Sequence, residues 1–526
     1  MKVLVSDKLG KNGMTILQAC KELTVEEKTT LTPEELKAVI GEYDGIVIRS
    51  ATKLKADIIE CAHKMKVIGR AGVGVDNVDL PSATKKGIIV MNTPEGNTIS
   101  TCEHSFSMMM ALSRNIPQAH ANVKSGKWDK NKFQGQELAG KTLGVIGFGR
   151  IGRAMAKRAQ AFEMKVVTFD PFISKEFAIQ FGVEALDVEA LCRVSDYITI
   201  HTPLSAETKY ILNKKMFDVM KNGVCIINCS RGGTVNEADL VEAIKAGKVK
   251  GAALDVFEKE PPTGSPLLEL DNVVMTPHLG ASTGEAQENV AIAVAEQIRD
   301  ALLGKEIRNA VNMPSLDAES ALVLRPWVNL AVKMGAFIAQ ISEGSVSKIN
   351  IHYSGIVTNY NLAPLSIAVL KGILSVPMGE MVNFVNAPVL AKERGIEVVE
   401  SKTSQLEDFA NHISVEVTSD KGKCAIGGTL FGKKDARIVK IDDYHLDAHP
   451  HGDMIFLQNQ DKPGIIGEVC VLLGKNGVNI AEMSLGRVKQ GGTAITLFNV
   501  DQAVTDTLLK AIKGLPGIVT VKKISL

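Results

Sequence analysis

The residues whose types and spacing could do chemistry concentrate between positions 140 and 282 of this 526-residue chain. The segment TLGVIGFGRIGRAMAKRAQAFEMKVVTFD carries a buried-strand pattern into Gly147-Phe148-Gly149-Arg150-Ile151-Gly152. A helical pattern follows, and the next strand ends at Asp170. In such a strand–turn–helix, Gly147 permits the tight turn, Gly149 lets a pyrophosphate approach the backbone, and Gly152 lets helix and strand pack closely. The helix N-terminus offers unpaired N–H groups and the positive end of its dipole to the phosphates. Asp170 stands where a carboxylate accepts hydrogen bonds from both ribose hydroxyls and repels a 2′-phosphate, which selects NAD over NADP. A glycine-rich turn kept for packing alone is the other reading of these glycines.

Three later loops hold the groups that hydride transfer to a nicotinamide requires. NCSRGG sets Arg231 just past a strand ending at Asn228, LDVFEKEPP sets Asp255, Glu258 and Glu260 past another, and TPHLGAST sets His278 past a third. In a doubly wound sheet the C-terminal ends of strands are where ligands bind. A histidine exchanges protons near neutral pH, and a carboxylate beside it holds its tautomer. An arginine grips a carboxylate through two parallel hydrogen bonds. Each residue alone is equally an ordinary turn residue or surface cation. Their joint position on strand ends, behind a nucleotide fingerprint, is what points to catalysis.

The elements that must position these residues follow from hydrophobic pattern. From residue 1 to about 310, short runs such as VLVS, GIVIRS, VIGR, GIIVMN, TLGVIG, VVTFD, YITIH, VCIIN, GAALD and VVMTPH alternate with helical patterns. Apolar runs without strict alternation suit strands buried on both faces of a parallel sheet, joined by right-handed helical crossovers. The expected class is α/β, with two doubly wound, Rossmann-like domains. The fingerprint begins only near residue 140, so an α/β unit precedes the cofactor domain. Helical segments at Thr98 to Ser113 and Gly284 to Leu303 can carry the chain across and back. The expected division is a discontinuous substrate-binding domain (1–98 and 290–312) and an NAD-binding domain (99–289), with a ligand cleft between them.

Near Met313-Pro314-Ser315 the pattern changes. Ile349, Ile351 and Tyr353 alternate onto one face, and residues 415–442 read as a meander with lysine-glycine turns. This marks an α+β domain over 315–452. From Ile455 the order is βαββαβ, a ferredoxin-like unit over 453–526.

Composition narrows the partners. With 45% apolar and 23% charged residues the chain is ordinary globular protein, and 60 basic against 59 acidic residues leave a net charge of +1. Neither nucleic acid nor a membrane surface is expected as a partner. The greasiest stretch, Leu362 to Val382, is broken by Lys371, Glu380 and two prolines, and reads as buried helix or loop. The opening MKVLVSDKLGKNGM reads as strand and turn rather than a signal peptide. Eight scattered cysteines with no CxxC suit free thiols in a cytoplasmic protein.

The set GRAGVGVDNVD (69–79), NTPEGN (92–97), GFGRIG, NCSRGG, ALDVFEKEPP and TPHLGAST resembles the D-2-hydroxyacid dehydrogenase family. With DKPGIIG and GVNIAEMSLGR in the tail, the whole chain resembles the long branch of that family, which carries an intervening domain and a C-terminal ACT regulatory domain. The resemblance implies NAD-dependent oxidation of 3-phospho-D-glycerate to 3-phosphohydroxypyruvate, at the entry to L-serine biosynthesis, with no metal in the chemistry. It implies His278 as acid/base, Glu260 as its partner, and Arg231 on the substrate carboxylate and carbonyl oxygen. It sets Arg150 and Ile151 along the pyrophosphate, Asp170 on the ribose, and Thr202, Cys229 and Asp255 on the nicotinamide side. Arg49, Ser50, Arg70, Gly74 and Asn97 match positions that face the substrate, and the two arginines suit a phosphate.

Asp461 and Asn479 match positions where family members hold L-serine, although Asn459 stands where some of them have an aromatic. ACT units also serve as assembly contacts, and the family forms homodimers or homotetramers. Lys130 and Lys132 lie in a basic loop that can reach a neighbouring subunit's site or simply be solvated. His445, His449 and His451 suit a metal, an anion or a polar connection between domains. Two rival functions remain: a dehydrogenase of another 2-hydroxyacid such as hydroxypyruvate or glyoxylate, and a non-catalytic NADH-sensing protein.

Overall fold

Leu4 packs with Leu36, Ile40 and Ile46 on one side of the first strand, while Val3 and Val5 pack with Val47, Val290 and Val294 on the other. Apolar partners on both faces are what a parallel sheet between two helical layers requires. The computed structural model describes residues 1–314, 318–405 and 409–526, and holds two such sheets. The expected start of the third domain, at 315, lies outside the described residues.

In the first sheet β1 (Lys2–Val5), β2 (Thr24–Glu27), β3 (Gly45–Ile48), β4 (Val67–Arg70) and β5 (Ile89–Met91) run parallel in the order 2-1-3-4-5. The second has β6 (Thr142–Ile146), β7 (Lys165–Phe169), β8 (Glu184–Ala185), β9 (Tyr197–Ile200), β10 (Val224–Asn228), β11 (Val249–Leu254) and β12 (Val273–Met275). These also run parallel, in the order 12-11-10-9-6-7-8.

Two of these strands carry no apolar signal. β2 reads TVEE and is an edge strand; pairing with β1 creates it, and Glu26 anchors it through Lys2 (3.0 Å), Lys28 (2.9 Å) and the Tyr43 hydroxyl (2.7 Å). β8 is only two residues long. The helices Thr98–Ser113 and Gly284–Leu302 join the two sheets. The second lies against β4 so closely that a Cβ on Gly69 would come 2.6 Å from the Val294 side chain. Ala310 then bridges Met91, and the Asn312 side chain accepts from the Val90 N–H, which ties the returning chain to the first sheet.

The third sheet comprises β13 (Val346–Gly355), β14 (Glu397–Thr403), β15 (Asn411–Ser419), β16 (Gly422–Phe431), β17 (Asp435–Ile441) and β18 (Tyr444–Ala448), in the order 14-13-15-16-17-18. Only β13 and β14 pair parallel. Ile349, Ile351 and Tyr353 are fully buried, as their alternation requires. The helices Ala318–Ile341 and Ala363–Met378 pack on this core. Within the first, Leu322–Ile341 is long and apolar enough to cross a membrane, but Leu324, Leu330, Met334, Phe337 and Ile338 are fully buried in the protein. The segment around His445, expected as a polar connection among other readings, contains β18, because its backbone completes the edge of β17.

The fourth sheet is antiparallel: β19 (Asp453–Gln460), β20 (Ile480–Arg487), β21 (Thr493–Val500) and β22 (Ile518–Ser525), in the ferredoxin-like order 20-21-19-22. Its helices, Ile465–Lys475 and Asp506–Lys513, cover one face through Val469, Leu473, Leu508 and Ile512. Met454, Phe456, Ile495, Leu497 and Ile524 on the other face join the core of the third sheet, so the two tail units share one hydrophobic interior.

Candidate active site

The strand ends of the two parallel sheets face each other across a cleft of about 830 Å³. Arg70, Gly74, Asp76 and Asn97 line it from the N-terminal side, and Ile151, Thr202, Cys229, Arg231, Asp255 and His278 from the other.

The glycine turn lies at the end of β6. Gly147 has φ +91°, and a Cβ there would lie 2.7 Å from the His201 carbonyl oxygen. A Cβ on Gly152 would lie 2.1 Å from the Gly147 carbonyl oxygen, whereas one on Gly149 would meet nothing within 4 Å. The first and third glycines are thus demanded by packing, and the second faces open space, as close approach of a phosphate requires. Gly149 gives the Arg150–Ala161 helix no side-chain cap, so its first N–H groups stay available to an anion. Asp170, just past β7, accepts from the Phe148 N–H (2.8 Å) and the Phe172 N–H (2.9 Å), which pins its carboxylate beside the turn. Arg150 reaches out to Glu95 (3.0 Å).

His278 follows β12 and has φ +54°, a left-handed conformation that few non-glycine residues adopt and that functional sites retain. Its N–H donates to the carbonyls of Asp255 (3.0 Å) and Thr276 (3.1 Å). The ring Nδ1 lies 2.9 Å from Glu260 Oε2, and Glu260 Oε1 accepts from the Phe257 N–H. With Nδ1–H donated to the carboxylate, Nε2 is the ring atom left to exchange a proton. Arg231, just past β10, donates from Nε to Asp76 Oδ2 (3.0 Å) and from one terminal nitrogen to the Ser230 carbonyl (2.7 Å). Its other terminal nitrogen passes over Gly74, where a Cβ would collide with it.

Burial, reinforced by the charge of Arg231, pushes the Arg70 guanidinium down to about 10. Asp255 is fully buried. Burial alone would raise its carboxyl, but hydrogen bonds from His104, Thr276 and the Leu279 N–H outweigh that and hold it below the usual range. Arg70 Nε, Asn97 Oδ1, Thr101 Oγ1, His201 Nδ1 and Thr202 Oγ1 are buried on the cleft wall with no protein partner. Five orphaned polar atoms around one cleft fit a large polar ligand that supplies their hydrogen bonds, as a dinucleotide with its substrate does.

Arg49 and Ser50, expected to face the substrate, are not on the cleft wall. The Arg49 guanidinium instead donates to the Lys8 carbonyl, near enough to Arg70 for its charge to be felt there. Lys130 and Lys132 lie in an exposed single turn, Lys130–Phe133. In the tail, Asp461 accepts from Gly491 N–H (3.0 Å) and Arg487 (2.9 Å), and both bonds hold it below the usual carboxylate range. Asn479 donates to Asp501 (2.6 Å), and Asn459 is buried.

His449 is flanked by Glu482 at Nδ1 (2.7 Å) and Asp435 at Nε2 (3.2 Å), while His445 and His451 are exposed. Among the described residues the potential metal-ligand group is elsewhere: His104, Cys229 and Asp255, within 4.8 Å of one another. There the carboxylate is already occupied by donors, and burial pushes the Cys229 thiol up to about 12, away from the thiolate that metals bind. Three contributors went unread in the sequence: Asp76 and Glu95, which sit inside quoted motifs, and His104, the one histidine of the Thr98–Ser113 helix.

Residues 106–280 match the model of the D-isomer specific 2-hydroxyacid dehydrogenase NAD binding domain, 323–442 the D-3-phosphoglycerate dehydrogenase intervening domain, and 454–517 the ACT domain. The chain is 46% identical to D-3-phosphoglycerate dehydrogenase of Methanocaldococcus jannaschii over the whole of both chains. It is 42% identical to that of Bacillus subtilis over 100% of this chain and 99% of the relative. Among solved structures, D-lactate dehydrogenase of Aquifex aeolicus, complexed with NAD and lactic acid, aligns with a TM-score of 0.52 and 29% identity, over 58% of this chain and 96% of that one. A glyoxylate reductase from Paecilomyes thermophila aligns with a TM-score of 0.56 and 27% identity, over 59% and 98%. The chain therefore belongs to the D-isomer specific 2-hydroxyacid dehydrogenase family, in the long form that carries an intervening domain and an ACT domain.

Proposed function

We infer that the chain is an NAD-dependent dehydrogenase that oxidises 3-phospho-D-glycerate to 3-phosphohydroxypyruvate, the entry step of L-serine synthesis. The observation that carries this reading is the meeting of the His278–Glu260 pair and Arg231 on one cleft wall, with Arg70 opposite, in a chain whose full-length relatives bear that activity's name.

Gly147, Gly149, Gly152 and the start of the following helix would cradle the pyrophosphate with Arg150 and Ile151, and Asp170 would take the ribose. Thr202, Cys229 and Asp255 would lie along the nicotinamide. When bound, NAD accepts the hydride that leaves C2 of the substrate. His278 Nε2 takes the proton of the C2 hydroxyl, and Glu260 stabilises the imidazolium that forms. Arg231 holds the carboxylate and the developing carbonyl oxygen by charge-assisted hydrogen bonds. Arg70 is assigned to the phosphate, with Arg49 behind it adding positive potential, and Gly74 and Asn97 complete that wall.

A dehydrogenase of hydroxypyruvate or glyoxylate is the rival within the family. The buried guanidinium of Arg70 and the two tail units favour the phosphorylated substrate. A binding protein without turnover has no use for the intact His278–Glu260 pair. In the tail, Asp461 and Asn479 are assigned to L-serine, at an interface between paired ACT units of a homo-oligomer. The test is NADH oxidation with 3-phosphohydroxypyruvate against hydroxypyruvate and glyoxylate. Preference for either unphosphorylated acid overturns the substrate assignment.

A further inference from the structure

We propose that His104 is a positioning residue for the reaction: through Asp255 it locks the 276–280 loop that presents His278. This rests on the reading of His278 as the acid/base.

The buried Asp255 carboxylate receives donors from three directions. Thr276 Oγ1 (2.6 Å) and the Leu279 N–H (2.7 Å) donate to Oδ1, and the Gly280 N–H (2.9 Å) donates to Oδ2. These are residues on both sides of His278, whose own N–H donates to the Asp255 carbonyl. The left-handed backbone of His278 costs energy and persists only where its surroundings over-determine it. Asp255 supplies that determination.

His104 Nε2 lies 3.1 Å from Asp255 Oδ1 and 3.1 Å from Thr276 Oγ1. Since the Thr276 hydroxyl already gives its proton to Asp255, the His104 nitrogen is the donor in this trio, and its N–H is shared between the two oxygens. That bond keeps a fully buried carboxylate from being under-solvated and fixes its rotation, and so fixes where the loop amides converge. His104 rides on the Thr98–Ser113 helix, which joins the two sheets. Ser100, one turn earlier, donates to the Gly280 carbonyl (2.7 Å) at the far end of the same loop. The interdomain helix thus clamps the acid/base loop at both ends, and a shift of about 1 Å in such a loop is enough to lower turnover strongly.

The test compares H104L, H104Q and H278N in the full chain by steady-state kinetics, NADH binding and thermal melting. H104L should lower kcat by about 10- to 100-fold while the NADH dissociation constant changes less than about threefold. H104Q, whose amide N–H can replace Nε2–H, should recover kcat to within about threefold of the parent. Unchanged kcat in H104L, a loss that glutamine does not rescue, or an equal loss of NADH binding would each overturn the proposal. If H104L does not fold, T276V removes the second donor to the same oxygen and must show the same kcat loss with NADH binding kept. If H278N itself stays active, the acid/base reading fails, which is distinct from failure of His104 alone.

Discussion

Gly152 lies so close to Gly147 that a side chain on it would have its Cβ 2.1 Å from the Gly147 carbonyl oxygen, while the intervening Gly149 has empty space where its Cβ would be. The two glycines must therefore fail differently. Gly152→Ala should destabilise the NAD-binding domain by about 2–3 kcal/mol, because the helix has to move off the strand. Gly149→Ala has φ −71° and no neighbour, so stability should hold while NADH binding weakens at least about tenfold from blocked approach of the phosphates. Urea midpoints and NADH fluorescence titrations on both variants check this, and a stability loss in Gly149→Ala would contradict it.

With His278 assigned as the acid/base, His278→Asn removes that proton acceptor but leaves the cofactor wall intact. Turnover should fall by about 10³-fold with NADH affinity unchanged. Glu260→Gln retains a group that can accept from Nδ1–H and loses only the charge, so its loss should be smaller, about 10-fold to 100-fold. Single-turnover rates with 3-phosphohydroxypyruvate separate the chemical step from binding.

Asp170→Asn keeps an acceptor for the Phe148 N–H but removes the negative charge assigned to oppose a 2′-phosphate. The ratio of kcat/KM for NADPH to that for NADH should rise at least about tenfold, with little change in melting temperature. An unchanged ratio would mean that another group sets cofactor choice.

Burial pushes His201 down to about 4, against an ordinary value of 6.5. Its stabilising contribution is complete above pH 6.5, where both folded and unfolded chains hold it neutral. Below that the unfolded chain takes up the proton first, so stability falls as pH drops from 6.5 towards 4. Between pH 7 and 5 the loss is up to about 2 kcal/mol. Comparing urea midpoints at the two pH values should show His201→Gln with the shallower dependence.

Asp461 already holds Arg487 and the Gly491 N–H, so an incoming ammonium would join an ordered carboxylate rather than a free one. L-Serine should slow NADH oxidation by the parent protein, and Asp461→Ala should remove that sensitivity while retaining the uninhibited rate. A parent protein indifferent to serine would reduce the tail to assembly or another effector.

The parts legible in the sequence were those whose cause is local. The tight turn demands Gly147 through its positive φ, the Gly147 carbonyl five residues back demands Gly152, and strand period alone buries Ile349, Ile351 and Tyr353. The βαββαβ order likewise follows from patterns inside its own stretch. The positions of Arg231 and His278 just past strands were readable from pattern, because strand ends collect ligands in any doubly wound sheet, whereas the choice of Glu260 over Asp255 and Glu258 came from the family resemblance.

What remained hidden depends on partners far away in the chain. β2 has no strand signal of its own and exists because β1 offers an unpaired edge, while the short alternation of Tyr444, Leu446 and Ala448 becomes a strand only by pairing with β17. Asp76 meets Arg231 across 155 residues, and His104 meets Thr276 across 172. The apolar residues on the second face of the last sheet could have met solvent, another copy or a neighbouring domain, and only the packed chain buries them under the third sheet. Short-range steric and periodic demands are written in neighbouring residue types, whereas a contact across a cleft or between domains is chosen by how whole layers stack, which no local pattern encodes.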